Sequence, residues 1–239
     1  MKKVKYVIYI LALCFYSYIF LPMTKGTDLI HLYQGVRFNS NISAYVMQFF
    51  LFLCYSLFIY NEFETYIEEY GILIMTRVQS RNKLINQLTK KMFGLVIQIE
   101  LIKIVCYTII SIFRNGTITV NSPNELLRIV VLEVLVYTII LFVQMILEIY
   151  YSGKIALCIN LTYFIACINL GDMLYGITNN VKWLNFFILP NLMMKCRLDL
   201  LVDKKETYYW IFIVLGITVL SIYFIVRRIF SKKDIIGSN

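Results

Sequence analysis

Apolar runs alternate with short polar intervals along the whole chain. Six runs approach the roughly 20 residues that a membrane-spanning helix needs. They are Tyr6 to Leu21, Ala44 to Tyr60, Met92 to Phe113, Leu126 to Ile149, Ile155 to Tyr175 and Tyr208 to Val226. The first two are short, and snorkelling flanks or extended helix ends make up the difference. The pattern predicts an all-α, polytopic membrane protein with six transmembrane helices and one transmembrane domain over residues 1–239. The polar intervals reach roughly thirty residues at most, too few for a core of their own. Pro22, Pro123 and Pro190 fall at or beyond span ends. None sits where it would break a span, as in the discontinuous helices of some transporters.

Composition sharpens this picture. The chain is 60% hydrophobic and 15% charged, against about 25% charged in a soluble domain. Its net charge of +9 lies between apolar runs rather than on one polar stretch. That placement fits topology signals and anionic lipid headgroups, so membrane lipid is an expected partner and nucleic acid is not. With the N-terminus inside, thirteen Lys and Arg residues fall on the inner side and nine on the outer. The bias places both termini in the cytoplasm. Tyr6, Tyr45, Tyr60, Tyr175, Tyr208, Tyr209 and Trp210 crowd the span ends like interfacial belts. The basic Met1–Lys5 stretch before an apolar run resembles a signal peptide, but no small-residue cleavage site follows, so it reads as a retained first span.

Two intervals stand out. Residues 61–91 form a cytoplasmic loop with the densest positive cluster: Arg77, Arg81, Lys83, Lys90 and Lys91. Glu62, Glu64, Glu68 and Glu69 are expected to continue the second helix to a stop at Gly71. Ser80 caps a new amphipathic helix carrying Leu84, Ile85 and Leu88 on one face and leading into the third span. Between these lie Ile72, Leu73, Ile74 and Met75, apolar residues in a cytoplasmic turn, which generally mark a contact surface; the alternative is that they dip into the headgroups. Residues 176–207 form an external loop. Its stretch around Trp183, Phe186, Phe187 and Pro190 is too short to span twice and too apolar for an ordinary loop. It reads as a re-entrant or interfacial hairpin, or else as a surface helix packed on the span ends.

Chemistry-bearing motifs are sparse. Gly153-Lys154 is followed by Ile155 and lacks the upstream glycine of a phosphate-binding loop. One histidine cannot supply a zinc signature, and His31 reads as a lone surface residue of an external loop, which leaves a serine or cysteine nucleophile without a histidine base. The six cysteines contain no C-x-x-C pair and read as small apolar residues. No catalytic residue, metal site or cofactor is expected. The exceptional positions are Glu100, Lys103 and Glu133, ionisable residues within apolar runs. Such residues cost about 2.5–3.5 kcal/mol at mid-helix and are usually paired. Lys103 lies about 15 Å and Glu133 about 10 Å below the same surface, at 1.5 Å per residue. The third and fourth spans are antiparallel neighbours, so a Lys103–Glu133 pair is expected, with Glu100 one turn away competing for the lysine.

Six spans, cytoplasmic termini, a long second-to-third cytoplasmic loop, an apolar hairpin before the last span and the basic tail Phe230-Ser-Lys-Lys-Asp234-Ile resemble the ABC-2 type permeases. More narrowly, the chain is similar to small permease subunits of bacterial peptide and bacteriocin export or immunity systems. The resemblance implies a type V exporter-like architecture in a bacterial cell membrane. It places a coupling helix at Tyr70 to Arg81, with Ile72, Leu73, Ile74, Met75, Arg77 and Arg81 engaging a separate cytoplasmic ATP-binding subunit. It also implies a second permease copy or a homologous permease. The short Lys2–Lys5 stretch departs from the family by leaving little room for an N-terminal interfacial helix. The alternative function is a non-transporting immunity or sensor protein that binds a peptide at its outer face.

The topology is testable by single-cysteine labelling from outside intact cells, on a background without the native cysteines. Asn179→Cys should label and Ser80→Cys should not. The reverse pattern would invert the assigned sides.

Overall fold

A computed structural model describes residues 2–20, 28–61, 81–177, 179–201 and 205–232. The described elements are helical, and an isolated bridge joins Asp28 to Thr119. The long helices are α1 (Lys2–Phe20), α2 (Ile42–Ile59), α3 (Arg81–Asn115), α4 (Pro123–Tyr150) and α5 (Gly153–Ile177). Two short helices follow, α6 (Leu189–Leu192) and α7 (Lys195–Leu201), and then the long α8 (Lys205–Lys232). Turns of 3₁₀ helix cover Leu29–Tyr33 and Asn179–Phe187.

Five of the long helices, α2, α3, α4, α5 and α8, are long and apolar enough to cross a membrane. This is the architecture of a multi-pass membrane protein. The six spans expected from sequence reduce to five by this measure, because the apolar part of α1 is only Tyr6–Ile19. At about 1.5 Å per residue that window falls short of a bilayer core of about 30 Å. The amphipathic helix expected to lead into the third span is continuous with it in α3. Its 35 residues measure about 52 Å, well beyond a bilayer core.

The continuation of the second helix expected through Glu62, Glu64, Glu68 and Glu69 lies outside the described residues, but the helix itself ends before them. It stops at Ile59, Tyr60 leaves the helical region, and Asn61 takes a left-handed φ of 58°. Asparagine is among the few residues that tolerate this conformation, so it can end the helix here; Gly71, the expected stop, lies outside the described residues.

Helix α4 is the axle of the bundle. It packs against α2, α3, α5 and α8, and over half of its apolar window is buried, against 17% for α8. A helix apolar on every side belongs in such a position. Aromatic stacking fixes its neighbours: Phe52 of α2 lies 3.9 Å from Phe164 of α5, and Tyr55 of α2 lies 4.0 Å from Tyr137 of α4. Away from the α3–α4 connection, Asn160 of α5 donates to Gln144 of α4 at 2.9 Å, and Gln144 donates to the Ser56 carbonyl of α2.

The opposite end is closed by a cap made of residues 28–41 and 179–201. Its hub is Arg197, fully buried. The guanidinium donates to the Val36 carbonyl (2.8 Å), the Ile168 carbonyl, the Asn191 side chain (2.7 Å) and Asp172 (3.0 Å). It also lies 4.6 Å from the Phe38 ring centroid, and Phe38 stacks on Tyr175. Asp172 in turn accepts from the Tyr45 hydroxyl. One side chain therefore joins the 34–39 loop, α2, α5 and the α6–α7 segment. Burial pushes the Arg197 guanidinium below its ordinary value while Asp172 opposes the shift; arginine's high intrinsic value keeps it charged.

Two glycines make room for this hub. A Cβ at Gly171 would lie 2.7 Å from Asn191 and 3.0 Å from Arg197. Gly35, at φ +64°, would put a Cβ 2.5 Å from the Met194 side chain. At the rim, Lys195 bridges Glu125 of α4 (2.9 Å) and Asp199 (2.7 Å). Partial burial disfavours its charge, but the two carboxylates outweigh that and hold its proton well above the ordinary lysine value.

Arg197→Ala should cost about 3–5 kcal/mol, the usual penalty for stranding a buried ion-pair partner. Arg197→Lys should cost less but still destabilise, because an ammonium cannot span four acceptors. Thermal unfolding of the purified chain in detergent reads both.

Candidate functional site

The charged residues of the bundle interior meet between α3 and α4. Glu100, Lys103 and Glu133 are 3%, 0% and 3% exposed. The Lys103 ammonium lies 2.7 Å from Glu133 Oε1 and 2.9 Å from Glu100 Oε1. The interhelical pair and the in-helix pair thus form together on one lysine rather than competing. The lysine stands 4.5 Å from the centroid of the Tyr33 ring.

Two tyrosines complete the site. The Tyr33 hydroxyl donates to Glu100 Oε1 at 2.6 Å, and the Tyr55 hydroxyl donates to Glu100 Oε2. Tyr33 comes from the 3₁₀ turn of the cap and Tyr55 from α2. Four separate segments therefore converge on Glu100 and its lysine. Tyr9 and Tyr137 add buried hydroxyls nearby that have no hydrogen-bond partner among the described residues. A dry, low-dielectric setting strengthens such charge-assisted bonds and makes any unpaired member costly.

The other expected site residues are placed differently. Trp183 and Phe187 pack edge to face at 5.8 Å and are 56% and 71% exposed. Phe186 is half-buried and Pro190 buried, both facing inward from the cap. This stretch is a 3₁₀ segment followed by two short helices laid over the bundle end. Arg81 opens α3, while Ile72, Leu73, Ile74, Met75 and Arg77 lie outside the described residues. Among the described residues no cluster of His, Cys, Asp and Glu could hold a metal, and the six cysteines are free thiols.

Sequence reasoning missed Arg197, Asp172, Tyr33 and Tyr55. Asp172 had a signal: it is the one acidic residue in the fifth apolar run, and the rule that flagged Lys103 applies to it equally. Arg197 was visible only as one of five basic residues in a polar connection.

A family model described as "Protein of unknown function (DUF2705)" matches residues 5–236. The chain belongs to the DUF2705 family. No curated protein and no solved structure matches it. The DUF2705 match spans α1 through α8 and so takes in the buried cluster, the cap hub and the 61–91 interval alike.

A charge swap tests the cluster in this DUF2705 chain. Lys103→Glu alone would gather three carboxylates, and Glu133→Lys alone would set two ammonium groups on one carboxylate. Each should sharply lower the yield of folded protein, and the double variant, which restores the charge count, should recover much of it. A double variant as poor as the combined singles would show that the pair contributes nothing.

Proposed function

We propose that this DUF2705 chain is the membrane-spanning permease subunit of an ATP-driven exporter. Its substrate is a peptide or another amphipathic molecule of the bacteriocin or antimicrobial-peptide class. In this reading α1 is the sixth crossing, the cap faces outward, both termini are cytoplasmic, and residues 61–91 engage a separate ATP-binding subunit in a bacterial cell membrane.

The observation that carries the reading is the division of the chain. A bundle of apolar helices has its longest polar interval at the end opposite the cap, and the sequence contains no phosphate-binding loop of its own. Such a membrane domain draws on an energy source held elsewhere. The outward apolar residues of α8, including Trp210, Ile213, Ile217, Leu220 and Phe224, suit lipid or a second permease. The exposed Trp183–Phe187 pair on the cap favours a second reading, a non-transporting immunity or sensor protein that binds a peptide there.

Co-purification separates the two. The exporter reading expects an ATP-binding subunit to accompany the chain, and expects the Leu73→Asp, Met75→Asp double variant to lose it or to uncouple its ATP hydrolysis. Normal assembly and coupling in that variant would remove the coupling assignment. A chain that never associates with an ATP-binding subunit would leave the peptide-binding reading.

A further inference from the structure

The buried cluster contains two carboxyls and a single ammonium. Written with ordinary ionisation it carries one unbalanced negative charge. Glu100, Lys103 and Glu133 are each at least 97% buried. An uncompensated charge in such a place is strongly destabilising, so something neutralises it.

Among the described residues, the neighbours do not supply a second cation. From α1, Tyr9 and Tyr16 face the cluster. From the 3₁₀ turn and α2 come Tyr33 and Tyr55, and from α4 Tyr137. Cys54 and Cys106 stand by Tyr9, and Tyr107 by Tyr16. All of these are neutral at physiological pH in their ordinary state. Among the described residues, Lys103 is the one positive group acting on Glu133.

The two carboxyls are not equivalent. Glu100 receives three donors: Tyr33, Tyr55 and Lys103. Both of its oxygens are thus already taken as acceptors. Glu133 receives Lys103 on Oε1, and no other donor reaches it among the described residues. Its second oxygen is therefore free to hold a hydrogen.

The geometry points to a proton-binding site: Glu133 carries a proton in the folded bundle, and Glu100 and Lys103 form the ion pair beside it. The cluster is then neutral, and Lys103 donates to the carbonyl oxygen of a neutral acid. Loss of that proton leaves two carboxylates sharing one ammonium across the α3–α4 junction. The site gives the bundle a protonation-dependent contact at its centre, independent of whether the chain moves a substrate.

Infrared spectroscopy of the full chain in detergent at neutral pH tests this. The wild type should show the carbonyl stretch of a protonated carboxyl, sensitive to deuteration. Glu133→Gln should lose that band while keeping wild-type helicity. Glu133 should also make wild-type melting fall as pH rises above about 4.3, where an unfolded glutamate ionises: a proton held only by the fold stabilises less as the solution becomes more basic. Glu133→Gln should flatten that fall. A wild-type spectrum without the band would overturn the assignment, and melting that rises with sodium would then name a metal cation as the neutraliser. A band that persists in Glu133→Gln would overturn it too. So would failure of that variant to accumulate, since a neutral side chain of the same shape is what the assignment places there.

Discussion

The constraint on which the bundle depends is the cost of placing Lys103 where no water reaches it. An ammonium at that depth must find carboxylates, and the carboxylates must find donors of their own. Glu133 fixes α4 against α3, and Glu100 draws in Tyr55 of α2 and Tyr33 of the cap. Apolar packing alone tolerates sliding and rotation of helices, because one leucine face resembles another. A cluster with fixed donors and acceptors does not, so register and rotation of three helices are set at one point.

Arg197 solves the same problem at the cap by a different route. It lies in a connection rather than a span, and three of its five donor-hydrogen directions are used by backbone carbonyls and an amide oxygen. The planar guanidinium suits irregular backbone, whose carbonyls would otherwise stay unsatisfied near an apolar bundle. The cap and the core cluster are also linked, since Tyr33 and Val36 belong to one short connection.

The helical layout was legible because long apolar runs have few other solutions in a membrane. Lys103 and Glu133 were legible for the same reason: two opposite charges at similar depth on adjacent helices leave little choice. Tyr33 and Tyr55 were not, because tyrosine is common in this sequence and its role depends on which side of the bundle it faces. Arg197 was hidden by its polar surroundings; only the folded connection reveals that it is turned inward. The end of α2 was misplaced because acidic residues are good helix formers, whereas a single left-handed Asn61 leaves no strong mark in sequence.

The unbroken length of α3 turns the cluster into a fulcrum. Arg81 lies 22 residues before Lys103, about 33 Å along the axis, and Asn115 lies 12 residues beyond it, about 18 Å. A rigid rod pinned at Lys103 therefore has unequal arms. Each degree of tilt sweeps the Arg81 end through about 0.6 Å and the cap end through about 0.3 Å, in opposite directions. A push at the long arm would arrive beneath the cap with just over half the travel and nearly twice the force.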